Sequence, residues 1–382
     1  MPRVLLAAIG IILACAHPLY GRQHPPAASA GAATDRLVRA YMRDQRVPGT
    51  SIAIVVNDSL VYVRGFGWAN LEDSVPVTRH TLFPSASTAK LFTATAVAQL
   101  VERRALALDL PIHTHCPAYP PKPWPVTVGQ LLVHQGGVRP SGGADVFNRM
   151  HYASIQAAVA AFAADTLVAV PGTSQIYSNA GYVLLACAVE GASGEPFDAY
   201  LRRHVLTPAG MIATQQASLY RVIAHRAGAY MVRTTANTRN WDGLWTPAHL
   251  EETELDVPFR SDPVDESFAT GASNYRTSPS DLAKLMIALD GDRLVSRDMR
   301  KAMFSDYPTV DGKSTGRGFD WLVSESKEGM VARVAGSVGT GSSAVLFLPD
   351  KRFAAVISTN LGFQQPGALL DSLAAAWGHR IE

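Results

Sequence analysis

Phe83-Pro84-Ser85-Ala86-Ser87-Thr88-Ala89-Lys90 runs straight into Leu91-Phe92-Thr93-Ala94-Thr95-Ala96-Val97-Ala98, and Lys90 is the only obviously charged side chain between Thr81 and Val101. A segment apolar on nearly every face reads as a buried helix. Pro84 stands just before it, with Ser85 and Ser87 as candidate caps. A lysine one turn into such a helix is costly to desolvate unless a neighbour uses it. Ser87 and Lys90 are three residues apart, so their side chains share a helix face. Burial disfavours a charged amine, and a neutral amine can take a proton from a hydroxyl. The first helical turn also leaves backbone N–H groups free to stabilise an oxyanion. A nucleophile, a base and an oxyanion donor can thus come from one turn. The bland reading of the same letters is a capping serine followed by a snorkelling lysine.

About ninety residues later, Tyr177-Ser178-Asn179 precedes a second buried run, Ala180 to Glu190. By itself the triplet reads as a core tyrosine and a helix cap. Composition excludes some alternatives. With 382 residues, 47% hydrophobic, and a net charge of +2, the chain can bury a large core and offers no basic stripe for nucleic acid. Met1-Pro2-Arg3 followed by an apolar run to Ala14 reads as an export signal over residues 1–16, too short to span a bilayer. Ile12-Leu13-Ala14-Cys15 also resembles a lipid-attachment box, so membrane association is expected only through Cys15. Residues 17–34 read as a disordered leader. The remaining cysteines, Cys116 and Cys187, could pair in an oxidising compartment, yet Cys187 lies in the apolar run from Tyr182, so a buried free thiol is the expected reading.

Asp35 to Arg46 fits an amphipathic helix, and Thr50 to Val56 with Leu60 to Gly67 fits a β-hairpin turning at Asn57-Asp58-Ser59. Thr127 to His134 is a short capped helix, and Phe147 to Ala164 reads as largely helical. Ala213 to Phe268 is irregular, and Ser278 opens a helix through Leu289. Phe319–Ser324, Met330–Ala335, Ser342–Leu348 and Phe353–Thr359 read as strands, and Gln365 to His379 closes the chain as a helix. Strands at both ends with helices between imply an α+β fold: one antiparallel sheet built from both chain ends (35–84 and 317–382), flanked by terminal helices, with a large inserted helical part (85–316).

Ser87-Thr88-Ala89-Lys90 before one buried helix and Tyr177-Ser178-Asn179 before another resemble the serine β-lactamase and penicillin-binding-protein superfamily, nearest its class C-related esterases and peptidases. Val47-Pro48-Gly49, Leu131-Leu132-Val133-His134-Gln135-Gly136-Gly137 and Gly339-Thr340-Gly341-Ser342-Ser343 support it. The resemblance implies an exported serine hydrolase of the β-lactamase/transpeptidase-like fold, needing no cofactor or metal, and acting on a small-molecule or peptide substrate. Ser87 would be acylated, Lys90 would activate it, Tyr177 would shuttle protons, and Asn179 would hold Lys90 and the substrate. The family's third element, a basic residue then Ser or Thr then Gly on a strand, departs from pattern. Aligning on Ser342-Ser343 puts Val334-Ala335-Gly336 in that slot, with Gly336 allowing close approach and the Ser337 N–H completing the oxyanion hole. Aligning on Gly339 makes Arg333 the basic residue instead. Three other readings remain: a penicillin-sensing module with little turnover, an α/β-hydrolase on Ala335-Gly336-Ser337-Val338-Gly339, and a metal site at His113-Thr114-His115-Cys116.

Overall fold

Strand alternation builds the two layers of core. The computed structural model describes residues 27–140, 150–240 and 245–381, so the export segment and the Cys15 box lie outside the described residues. Strand β1 (Gly49–Val56) sends Ile52 and Ile54 to one side and Ala53 and Val55 to the other, the period-two pattern of a pleated strand. It pairs antiparallel with β2 (Ser59–Asn70) across Asn57 and Asp58, both at positive φ, the backbone that a two-residue hairpin turn requires. Beyond the edge strand β3 (Val75–Pro76) and β4 (Phe83–Pro84), the chain inserts β5 (Gln215–Gln216), β6 (Tyr230–Val232), β7 (Pro258–Arg260) and β8 (Tyr275–Thr277). It then returns through β9 (Leu322–Ser326), β10 (Gly329–Val338), β11 (Gly341–Leu348) and β12 (Phe353–Thr359). β12 pairs with β1 from Thr50↔Thr359 to Val56↔Phe353, so the two chain ends form one sheet in the order β3-β2-β1-β12-β11-β10-β9.

The terminal helices Ala27–Gln45 and Gly367–Ala376 cover the face carrying Ile52, Ile54, Leu346 and Ile357. The opposite face, carrying Val55, Val345, Phe347 and Val356, merges with the core of the inserted helices. The fold is the expected α+β arrangement. Inside the insertion, the helix Lys90–Glu102 is buried at every position from Lys90 to Leu100. It packs on the helix Asn179–Ser193, which Ser178 caps through Gly181 N–H and Gly194 closes at φ +70°.

Five expectations need correction. The first helix begins at Ala27, not Asp35, because the alanine-rich run is a strong helix former and Ala30 docks on the sheet. The leader expected over 17–34 therefore loses its last eight residues to helix. Within Phe147–Ala164 the described residues are helical only over Ile155–Ala160, and 147–149 lie outside the described residues. Ala213–Phe268 is not wholly irregular: β5 pairs with β8, β8 pairs with β4, and β6 pairs with β7. Ser85 does not cap the helix either. Its hydroxyl donates to the carbonyls of Ser273 and Tyr275 at 3.0 Å, fastening the stretch before Ser87 to the insertion.

The cysteines are the fifth. Cys116 and Cys187 form a disulfide across 71 residues, joining the loop after Ile112–Thr114 to the helix Asn179–Ser193. The apolar surroundings of Cys187 suit a buried bridge as well as a buried thiol, and only the fold brings Cys116 to it. Closing a loop of this length removes unfolded-state entropy worth about 4 kcal/mol on the chain-entropy account. Reduction is expected to lower stability by roughly 2–5 kcal/mol, read as a drop in urea midpoint; an unchanged midpoint on full reduction would contradict the pairing.

Candidate active site

A tight turn presents Ser87. Residues Ala86–Ala89 form a 3-10 turn feeding the helix at Lys90, and Ala86 enters it at φ +47°. That region is costly for a residue with a Cβ, by roughly 1–2 kcal/mol. Strain of this kind gathers at functional sites. Ser87 is half-buried while Ala86, Thr88, Ala89 and Lys90 are buried, so one hydroxyl of the turn faces the cleft.

Lys90 is wholly buried, and its ammonium donates to Ser87 Oγ at 3.1 Å, Asn179 Oδ1 at 2.9 Å and the Ala272 carbonyl at 3.3 Å. Three acceptors match the three N–H bonds of an ammonium, which offsets the cost of burying it. The group also lies 4.8 Å from the Tyr177 ring centre and 5.5 Å from that of Tyr182. From the far side of the sequence, Tyr177 Oη donates to Ser87 Oγ at 2.7 Å. Ser87, Lys90, Tyr177 and Asn179 are thus brought together as the sequence reading expected. A narrow recess lined by Asn179, Ser273, Val338 and Thr340 opens beside them.

Sheet register decides between the two placements of the third element. Val331 and Arg333 face the terminal helices, where Arg333 Nη2 bonds Asp371 Oδ1 at 3.0 Å, while Ala332 and Val334 face the inserted helices. By the same alternation Gly336 faces Ser87. A Cβ at Gly336 would lie 2.2 Å from Ser87 N and 2.7 Å from Ser87 Cβ. Arg333 is therefore not the basic residue of the cleft, and Val334-Ala335-Gly336 is the segment beside it. Ser337 turns its hydroxyl away, to Ser342 Oγ at 2.7 Å, leaving only its backbone to the cleft side.

The metal reading of His113-Thr114-His115-Cys116 loses its cysteine to the disulfide. Among the described residues no group of three or more His, Cys, Asp or Glu could hold a metal ion. The α/β-hydrolase reading fails on geometry, since Ser337 lies within a strand paired to β11.

Sequence reasoning gave no role to His134 and Asp320. His134 sits at φ +60° after the short helix Val128–Leu132, with its ring 4.4 Å from that of Tyr177. Its Nδ1 accepts the Ser178 N–H at 3.3 Å and its Nε2 pairs with Asp320 Oδ1 at 3.0 Å. Burial drives the imidazole from 6.5 down to about 4; the Asp320 contact opposes this, and the charges of Arg317 and Lys90 reinforce it. The unfolded chain takes up this proton near pH 6.5, while the folded chain resists until about pH 4. The stability held by the neutral ring is therefore complete above pH 6.5 and falls as pH drops towards 4, by up to roughly 3 kcal/mol. Urea midpoints at pH 7 and pH 4.5 are expected to separate more for wild type than for His134→Asn; equal separations would contradict the assignment.

Residues 34–376 match the beta-lactamase family. Penicillin-binding protein 4* of Bacillus subtilis (strain 168) is 30% identical over 291 residues, 73% of this chain and 60% of its own length. Esterase EstB of Burkholderia gladioli is 31% identical over 202 residues, 48% of this chain and 51% of its own. The chain thus spans between half and three-fifths of these two relatives. The structure of the octameric penicillin-binding protein homologue from Pyrococcus abyssi superposes with TM-score 0.75 at 26% identity, over 92% of this chain and 78% of that one. A class C beta-lactamase shares the fold alone, with TM-score 0.71 at 18% identity over 92% of this chain and 97% of that one. With the match running from the first helix to the last, this chain belongs to the beta-lactamase family.

Proposed function

We propose that the protein is an exported serine hydrolase that cleaves an ester or amide through an acyl-enzyme on Ser87. The observation that carries this reading is the convergence of Tyr177 Oη and Lys90 Nζ on one oxygen, Ser87 Oγ. In the acylation step, the two hydroxyls act as a relay: Oγ forms a bond to the substrate carbonyl carbon and gives its proton to the Tyr177 oxygen, while the phenol's own proton passes to the leaving group as the old acyl bond breaks. Water repeats the sequence in reverse, with Tyr177 as base, to free Ser87. The Lys90 cation offsets negative charge as it develops on the two oxygens. The N–H groups of Ser87 and Ser337, either side of the Gly336 contact, are the proposed donors to the oxyanion. Asn179 holds Lys90 and offers its amide to the substrate.

Val334 stands where the family carries a basic residue, and Arg333 is committed to Asp371. That favours a neutral ester or amide over a substrate gripped by its carboxylate, with β-lactams and D-alanyl peptides as weaker substrates. The similarity to an esterase fits this preference. Export is supported by the Cys116–Cys187 disulfide, a bond that persists in oxidising compartments, together with the signal-like residues 1–16. Among the described residues no helix is long and apolar enough to cross a membrane.

The second reading, a penicillin-binding or sensing module, rests on the altered third element. Steady-state rates with a p-nitrophenyl ester, a penicillin and a D-alanyl dipeptide separate the two. Turnover of the ester with weak or no penicillin turnover is expected. A stable penicillin adduct with no turnover of any substrate would favour the sensor.

A further inference from the structure

Ile176-Tyr177-Ser178 is held from beneath by one residue. The Ile176 N–H donates to the His134 carbonyl at 2.7 Å, the Ser178 N–H donates to His134 Nδ1 at 3.3 Å, and the imidazole packs 4.4 Å from the phenol ring between those contacts. Nδ1 can accept only if the ring proton sits on Nε2. Asp320 Oδ1, 3.0 Å from Nε2, is an acceptor and stabilises that tautomer. The pair is sealed, with side chains 1% and 2% exposed. Asp320 is itself anchored, its N–H donating to the Leu132 carbonyl at 3.1 Å and its own carbonyl accepting from Arg317 Nη1 at 3.0 Å. The Tyr182 hydroxyl donates to the same Leu132 carbonyl at 2.8 Å. Neither His134 nor Asp320 touches Ser87, Lys90 or the recess beside them among the contacts of the described residues.

We propose that His134 is the positioning residue of Tyr177, with Asp320 fixing its tautomer, so that the phenol oxygen is held on Ser87 Oγ for proton transfer. This rests on Tyr177 being the proton carrier. The chemistry is a relay of orientation: an acceptor-only carboxylate sets the ring proton, the ring nitrogen it leaves bare takes the Ser178 N–H, and the peptide so fixed aims the tyrosine. Asparagine at 320 can donate to Nε2 and so admit the other tautomer, whose Nδ1–H would face the Ser178 N–H.

The experiment measures ester kcat and KM for wild type, His134→Asn, Asp320→Asn and Tyr177→Phe, and for each of the first two variants combined with Tyr177→Phe. Asparagine suits the positive φ of His134, and Asp320→Asn keeps size and polarity should His134→Asn fail to fold. Both single variants are expected to lower kcat by roughly 10-fold or more, with KM changed less than about twofold. On Tyr177→Phe, where no phenol is left to aim, either change is expected to cost less than about twofold. Equal losses in both backgrounds, or single variants with wild-type kcat, would overturn the proposal while leaving the Ser87 mechanism standing. A wild type that never acylates at Ser87 would overturn that mechanism, and this role with it.

Discussion

Replacing Lys90 by methionine is expected to cut ester turnover by at least ~10²-fold while leaving the protein folded, with a melting temperature near or above that of wild type. The two effects are opposed for one reason. Lys90 is a buried cation whose desolvation is met by Ser87 Oγ, Asn179 Oδ1 and the Ala272 carbonyl. An apolar side chain of similar length removes that desolvation cost, at the expense of the donor to the buried Ala272 carbonyl. The same exchange removes the charge beside the Ser87 and Tyr177 oxygens, where it acts on the reaction. Rates from initial velocities and melts by circular dichroism check both halves. A variant with near-normal turnover would remove Lys90 from the mechanism.

Gly336→Ala is expected to be as damaging by a different route. The added Cβ meets backbone, Ser87 N at 2.2 Å, so no rotamer can relieve it and either β10 or the turn must move. Overpacking of that kind costs roughly 1–3 kcal/mol of stability. Because the moving part carries the nucleophile, the expected loss in the rate of fluorophosphonate labelling is also about 10²-fold or more. Ser337→Ala, one residue on, is expected to label within about threefold of wild type, since that hydroxyl faces Ser342 and not Ser87. Labelling of Gly336→Ala at the wild-type rate would contradict the close approach of β10.

The layered sheet was legible because its signal is local: short apolar runs such as Ile52-Ala53-Ile54-Val55 and Ala344-Val345-Leu346-Phe347-Leu348 are bounded by turn residues. The Ser87–Lys90 pair was legible because three-residue spacing fixes adjacency within one turn. What the letters could not carry was anything set by distant pairing. Whether Arg333 or Val334 looks into the cleft depends on one residue of register, and a slip of one inverts the answer. The short strands β5 to β8 have two or three residues each, too few for periodicity, and exist through their partners. Cys116 meets Cys187 only once the helices pack. The first helix was misjudged at its start because alanine-rich sequence with a glycine reads as leader until a sheet is present for Ala30 to dock on. His134 was visible only as part of a familiar run, since a histidine gains its role from the Asp320 carboxylate 186 residues away.

The most direct measurement is intact mass, followed by peptide mapping, after incubation of wild type and Ser87→Ala with a fluorophosphonate. The account predicts one adduct on wild type, located on the peptide that contains Ser87, and none on the alanine variant. An adduct that persists on Ser87→Ala, or that maps to another peptide in wild type, would contradict it.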